Sequence, residues 1–137
     1  MMDSLLLDTC AVIWLMNRNE IDEDARGRIN RAAGQERVFV SPYTAWELAM
    51  LNRKGRIDLT MSVDDWFNAV LEFPGVSLAA MPPRVLIASV QLPGTPPNDP
   101  ADRVIIATAR AYNMSVVTRD LKILDYGRSG NVRVLAC

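Results

Sequence analysis

The sequence contains no histidine among its 137 residues. This absence excludes Ser-His-Asp and Cys-His catalysis, and it also excludes zinc held by histidine. The two cysteines, Cys10 and Cys137, are far apart and match no zinc-binding or C-x-x-C spacing, so a disulfide framework is not expected. A metal site in this chain must therefore be built from oxygen ligands, which suit Mg²⁺ or Mn²⁺.

Long apolar runs and a strong excess of charge of either sign are also missing. The formal net charge is −1 at pH 7, so an RNA or DNA partner would have to be held by a local basic patch. No apolar run is long or charge-free enough to span a bilayer, and residues 1–8 carry acids where a signal peptide would be basic. These features predict a cytoplasmic protein with no membrane contact.

The pattern of apolar residues predicts a single α/β domain over residues 1–137, a length that suffices for one core. Short apolar runs predict strands at residues 5–7, 37–40, 76–80, 115–118 and 132–135, the last of them at an edge. Helical patterns lie at residues 10–17, 22–33, 42–54, 64–72, 83–90 and from 100 onward, with one or two turns at 121–126. Strands that alternate with helices favour a parallel sheet covered on both faces.

One helix start carries an unusual carboxylate. Asp99 fits an N-cap and Pro100 fits the first helical turn, which places Asp102 at the third helical position. Ile105 and Ile106 follow on the same helical face, so Asp102 lies at the top of a face that should be buried. Two interpretations remain open at this point: Asp102 completes a capping box with Asp99, or it belongs to a functional site.

Three further acids occupy special places. Asp8 follows the first strand and Asp120 follows the fourth, at the strand ends where open α/β sheets bind their ligands. Glu47 lies on the apolar face of the helix at residues 42–54, where an acid is rare unless it is paired or bound to a metal. The alternative for Glu47 is a salt bridge to Arg53 or Lys54.

The topology of a parallel sheet brings these acids together. Right-handed crossovers send the carboxyl ends of parallel strands to one edge, so Asp8 and Asp120 should share it, and the helix of Asp102 can begin there. Carboxylates that lie close together repel one another and raise each other's pKa unless a cation neutralises them. A divalent metal is the simplest resolution, and it predicts phosphodiester hydrolysis as a hypothesis, because that chemistry needs no histidine.

Four segments of the sequence resemble the signature blocks of PIN-domain ribonucleases. They are residues 5–9, residues 41–42 with 46–49, residues 98–103 with 106–109, and residues 117–120. The blocks occur in the order of the family, with similar spacing, and they extend over nearly the whole chain. Within the family, the chain most resembles the VapC-type toxins of bacterial and archaeal toxin–antitoxin pairs.

The resemblance implies a three-layer α/β/α sandwich with a central, mostly parallel sheet of four to five strands. It also implies an endoribonuclease toxin that depends on Mg²⁺ or Mn²⁺ and hydrolyses RNA phosphodiester bonds. A cognate VapB-type antitoxin would occupy the active groove with its carboxyl-terminal segment. The toxin would be a homodimer, and it would meet operator DNA only through the antitoxin.

The resemblance also assigns roles to particular residues. The expected catalytic and metal-binding carboxylates are Asp8, Glu47, Asp102 and Asp120, with Asp99 as a lesser metal ligand. The expected substrate-binding residues are Thr9, Arg103, Thr118 and Arg119. Guanidinium groups pair well with phosphates, although both arginines could instead form salt bridges with the neighbouring acids. Asn98 departs from the family, since many relatives have a basic residue or histidine there, and this leaves the RNA contacts near that loop open.

A rival reading from another functional class remains. The chain could be a catalytically weak PIN-fold module that acts mainly by binding its protein partner. The three tryptophans, Trp14, Trp46 and Trp66, are expected in the core or at an interface rather than as base-stacking platforms. Cys10 is expected to be a small buried apolar residue. A phosphatase of the haloacid dehalogenase type is disfavoured, because it would need an acid where Cys10 stands.

Overall fold

The computed structural model describes residues 4–137. Its strands are β1 (Ser4–Leu7), β2 (Val38–Val40), β3 (Val76–Leu78), β4 (Met114–Thr118) and β5 (Arg133–Ala136). Its helices are α1 (Thr9–Met16), α2 (Glu23–Gly34), α3 (Pro42–Arg53), α4 (Val63–Leu71), α5 (Pro83–Val90), α6 (Pro100–Tyr112) and α7 (Leu121–Arg128). Residues 1–3, part of the acidic amino terminus used above against a signal peptide, lie outside the described residues. Between residues 4 and 137, no helix is both long and apolar enough to cross a membrane.

The five strands form one parallel sheet in the order β3-β2-β1-β4-β5. Strand β1 is central: Leu7 is in register with Val40 of β2 on one side and with Val117 of β4 on the other. The carboxyl ends of β1 and β4 are therefore neighbours at the same edge, as the sequence predicted. Strands β3 and β5 are the outermost strands of the sheet, and each pairs on one side only.

Two apolar cores lie on opposite faces of the sheet, because successive side chains of a strand point to opposite sides. Leu5 and Leu7 face a core that includes residues of α1, α2, α3 and α4. Leu6 faces a second core, which contains Ile106 of α6 and Ile123 of α7. Helices thus cover both faces, and the predicted three-layer α/β/α sandwich is confirmed.

The structure corrects some element boundaries. Strand β3 ends at Leu78 rather than at residue 80, and Leu78 is 48% exposed because β3 pairs only with β2. Helix α1 begins at Thr9, one residue earlier than predicted, with Asp8 as its N-cap. Helix α7 continues to Arg128 rather than ending at residue 126. Strand β5 is shifted by one residue, and its predicted edge position is confirmed.

Candidate active site

Asp8 is held rigidly at the end of β1. One carboxylate oxygen, Oδ1, accepts a 2.8 Å hydrogen bond from the backbone N–H of Ala11, and Oδ2 accepts a 2.5 Å bond from the hydroxyl of Thr118. The side chain is buried, with 7% of its surface exposed. The pKa of Asp8 is raised to about 6, mainly by burial and to a lesser extent by the charges of Asp120 and Glu47, while the two hydrogen bonds act to lower it.

Thr118 connects this acid to a second one. Its buried hydroxyl donates to Asp8 and accepts a 3.0 Å hydrogen bond from the backbone N–H of Asp120. Asp120 is the N-cap of α7, and its Oδ1 accepts from the N–H groups of Lys122 and Ile123 at 2.8 and 3.1 Å. The exposed carboxylate of Asp120 is therefore fixed at the helix start.

Glu47 reaches the same edge from α3. The hydroxyl of Thr9 donates a short hydrogen bond to Oε1 of Glu47, and the same hydroxyl lies 3.2 Å from that of Thr44. Among residues 4–137, the partner found for Glu47 is Thr9 rather than the Arg53 or Lys54 of the alternative salt bridge. Burial raises the pKa of Glu47, whereas the bond from Thr9 lowers it and the charge of Asp99 raises it.

Asp102 lies in the first turn of α6. Asp99 is the N-cap, as predicted, because its Oδ1 accepts a 3.1 Å hydrogen bond from the backbone N–H of Asp102. In the described part of the chain, no return bond from the Asp102 carboxylate to the Asp99 N–H completes a capping box. The pKa of Asp102 is raised to about 7, by burial first and then by the charges of Asp99, Asp120, Glu47 and Asp8. Asp102 is therefore a member of an acidic cluster.

These side chains line one pocket at the carboxyl ends of β1 and β4. Its volume is about 410 Å³. The lining residues are Asp8, Thr9, Cys10, Trp14, Glu47, Leu51, Asp102, Ile105, Arg119 and Asp120. The four acids predicted as a group thus meet at one place, and the electrostatic coupling between them is repulsive.

The donor chemistry of this pocket suits a hard divalent cation. Four carboxylates supply oxygen donors. Burial first and the repulsion between the acids second raise the pKa of Asp8 and Asp102, and a bound cation would oppose both effects by favouring the charged carboxylates. Within residues 4–137, no three cysteine or acidic side chains are arranged to hold a metal ion together. Binding therefore requires the carboxylates to converge from the positions described here.

The two candidate arginines occupy different places. Arg119 lines the pocket, and it donates to the carbonyl oxygens of Glu20 and Cys137 at 3.2 and 3.1 Å. Its guanidinium carbon lies 3.9 Å from the centroid of the Trp14 ring. Arg103, by contrast, donates to the carbonyl oxygen of Ser89 at 3.3 Å and does not line the pocket.

Some residues in or near the pocket were misplaced in the sequence analysis, and another was missed. Cys10 is exposed at the pocket rather than part of the core, although its thiol is partly covered. This partial burial of the thiol and, after it, the charges of the surrounding acids raise its pKa to about 11. Trp14 lines the pocket, Trp46 is 55% exposed, and Trp66 alone of the three lies in the core. Thr44 was not identified, although its position four residues before the fully buried Leu48 placed it on the inner face of α3.

Comparison with known proteins agrees with this architecture. The family model described as the PIN domain matches residues 5–129. Ribonuclease VapC22 of Mycobacterium tuberculosis (strain ATCC 25618 / H37Rv) is 31% identical over 130 residues, which cover 91% of this chain and 93% of that protein.

Solved structures share the fold at lower identity. VapBC2 from Rickettsia felis bound to a promoter DNA fragment has a TM-score of 0.63 and 14% identity, covering 96% of this chain and 97% of that one. DNA-bound VapBC from Salmonella typhimurium has a TM-score of 0.61 and 23% identity, covering 98% of each chain. Because the family model matches nearly the whole chain and a ribonuclease relative shares 31% of its residues, the chain belongs to the PIN-domain family.

Proposed function

We propose that the chain is a metal-dependent endoribonuclease toxin that is neutralised by a cognate antitoxin. The observation that carries the proposal is the pocket in which Asp8, Glu47, Asp102 and Asp120 meet and in which the acids repel one another. Its relative VapC22 is named a ribonuclease, which favours RNA as the substrate. The solved VapBC complexes favour an antitoxin as the protein partner.

In this proposal Asp8, Glu47, Asp102 and Asp120 hold Mg²⁺ or Mn²⁺, with Asp99 in a lesser role. The bound metal would supply an activated water and stabilise the charge that develops on the phosphodiester. Thr118 orients Asp8 through Oδ2. Thr9 orients Glu47 through Oε1. Asp99 fixes the first turn of α6 and thereby the position of Asp102. These contacts preorganise the acids before substrate binds.

The proposed substrate contacts involve the two arginines and two threonines that the sequence analysis named. Arg119 lies in the pocket, where its guanidinium can pair with a phosphate of the RNA. Thr9 orients Glu47 and also lines the pocket, where it can contact the substrate. Thr118, expected from the sequence to bind substrate, is fully buried outside the pocket lining, so its role is to orient Asp8. Arg103 would have to leave the Ser89 carbonyl oxygen to reach the RNA.

The surroundings of the toxin form part of the same proposal. We infer a homodimer in the cytoplasm that meets operator DNA only through its antitoxin, by analogy with the VapBC complexes bound to promoter DNA. The rival proposal is a catalytically weak PIN module that acts through its partner. One observation favours this rival: among the described residues, no three carboxylates are arranged to hold a metal ion together.

A cleavage assay separates these two functions. Purified protein freed of antitoxin is incubated with structured RNA in Mn²⁺, in Mg²⁺ or in EDTA. We expect cleavage that needs the metal and is lost in Asp102→Asn but kept in Asp64→Asn. Asp64 is the matched control because it is an exposed acid in the first turn of α4, far from the pocket lining. Absence of cleavage, with tight binding to the antitoxin retained, would establish the binding module instead.

A further inference from the structure

Trp14 is directed into the acidic pocket rather than into the core. It lies on α1, one helical turn beyond Cys10, and its side chain forms part of the pocket wall. Its neighbours Ile13 and Leu15 pack against the apolar core below the sheet face. A large aromatic side chain that lines a site in this way contributes a flat apolar surface rather than core packing.

Arg119 fixes the orientation of this indole ring. Its guanidinium lies 3.9 Å from the ring centroid, within the distance of a strong cation–π contact. The guanidinium is itself held by hydrogen bonds to the carbonyl oxygens of Glu20 and Cys137. Two backbone carbonyl groups anchor the guanidinium, which covers one face of the indole, so a base would stack on the opposite face of the ring.

The lining of the pocket is chemically mixed. It contains the four carboxylates together with apolar side chains, among them Trp14 from α1 and Leu51 from α3, which together we call the apolar end. Leu51 is one helical turn beyond Glu47, and Trp14 is one turn beyond Cys10. One turn corresponds to about 5.4 Å along a helix axis, so the apolar end directly adjoins the acids.

We propose that this apolar end, formed by Trp14 and Leu51, is a nucleobase subsite, with Arg119 holding the Trp14 ring in place. The base of one nucleotide stacks on the Trp14 indole while its phosphate lies at the acidic end. The inference rests on the proposed ribonuclease function and adds a residue that determines substrate preference. A flat aromatic surface beside a charge centre matches a nucleotide, which joins a flat base to a phosphate, better than it matches an extended peptide.

Binding measurements test the subsite without cleavage. Fluorescently labelled single-stranded RNA octamers of A, U, C or G are titrated, in Mg²⁺, against protein that carries Asp102→Asn. Adding Trp14→Leu should weaken the preferred octamer about tenfold, as loss of one base–aromatic stack predicts. Adding Trp14→Phe should restore most of the affinity, because the ring is kept. Trp46→Leu is the matched control, since Trp46 is exposed on α3, packs with Tyr43 and does not line the pocket.

A double-mutant cycle with abasic RNA identifies the stacked base. Octamers that lack the base at one position are tested in turn, and at one position the penalty of Trp14→Leu should disappear. Equal affinity of the Trp14→Leu and parent proteins for every intact octamer would overturn the subsite. So would a Trp14→Leu protein that keeps its RNA affinity but loses affinity for the antitoxin, because the apolar end would then be a protein-binding site.

Failure of the subsite and failure of the enzyme can be told apart. Protein without the Asp102 substitution is assayed for RNA cleavage in parallel. Cleavage combined with Trp14-independent binding would overturn the subsite and leave the nuclease intact. Binding that depends on Trp14, together with no cleavage in Mg²⁺ or Mn²⁺, would support the subsite and overturn the nuclease.

Discussion

The hydroxyl of Thr118 donates a 2.5 Å hydrogen bond to Oδ2 of Asp8. The two residues are neighbours at the carboxyl ends of paired strands, because Thr118 is the last residue of β4 and Asp8 comes directly after β1. The same hydroxyl accepts the backbone N–H of Asp120. One buried threonine therefore sets the relative positions of two of the four acids.

Replacing Thr118 by valine should damage both stability and the site. Thr118→Val keeps the shape of the side chain but leaves the Asp120 N–H and an oxygen of Asp8 without their partner, at a cost of about 1–3 kcal/mol in the free energy of unfolding. Urea unfolding measures the loss, and a metal titration should show weaker binding. Thr108→Val is the control, because Thr108 is also buried but donates to Val104 within α6. Equal metal affinity in both variants would contradict the role of Thr118.

Asp102→Asn should abolish cleavage without harming the fold. The N-cap of α6 is Asp99, so the cap survives the substitution. The substitution also removes a carboxylate whose pKa is raised to about 7 by burial first and by repulsion from the neighbouring acids second, so both costs of its charge disappear. We expect the metal-free variant to melt at the same temperature as the parent or higher, as seen by circular dichroism at pH 8. A marked decrease in melting temperature would instead give the Asp102 carboxylate a structural role.

The metal-free protein should lose stability as the pH rises. Asp8 has a pKa of about 6 in the folded chain against 3.8 in the unfolded one, so the folded state binds its proton more tightly between these values. The free energy of unfolding contains the full contribution of Asp8 below about pH 4. This contribution, as much as about 3 kcal/mol, is lost as the pH rises through 6. Asp102, with a pKa of about 7, extends the loss to higher pH.

Urea unfolding in EDTA at several pH values between 4 and 8 measures this loss. Asp8→Asn is the comparison, because asparagine is an equally good N-cap but carries no charge. The stability of the parent relative to Asp8→Asn should fall as the pH rises. A relative stability that is constant or increases with pH would refute the assignment of a raised pKa to Asp8.

Divalent metal should stabilise the parent chain strongly. A ligand that binds only the folded state adds about 2.7 kcal/mol to the free energy of unfolding when its concentration is 100 times its Kd. Differential scanning fluorimetry in millimolar Mg²⁺ or Mn²⁺ should therefore show a higher melting temperature than in EDTA. The increase should shrink in Asp8→Asn and Asp120→Asn but not in Asp64→Asn. If all four proteins respond alike, the cation binds elsewhere.

Much of the fold could be predicted because the sequence contains strong local signals. The N-cap of α6 at Asp99, the proline that follows it and the isolated apolar strands are such signals, and each holds in the structure. The meeting of Asp8 and Asp120 at one edge followed from the handedness of parallel crossovers. The acids were found because Asp8 and Asp120 follow strands at the positions where open α/β sheets bind ligands, and because an acid such as Glu47 on an apolar helix face is rare unless it is paired or bound to a metal.

The remaining features depend on tertiary contacts that leave little trace in the sequence. Residues 10–16 of α1 are apolar on every side, so their pattern does not indicate which side chain faces the core and which faces the pocket. Cys10 was misassigned for that reason, and the pattern could not show that Trp14, expected in the core or at an interface, lines the pocket. The Thr44–Thr9–Glu47 contacts join α1 to α3 across 35 or more residues, and no local rule predicts such a pairing.

The strand order has a consequence for the timing of activity during synthesis. Asp8 sits on the first strand to be made, but Thr118, which holds it, is 110 residues later in the chain. A nascent or truncated polypeptide that has not yet inserted β4 beside β1 cannot bring the acids together. Assembly of the acidic pocket during synthesis therefore has to wait until residues as far as Thr118 are available to pair β4 with β1.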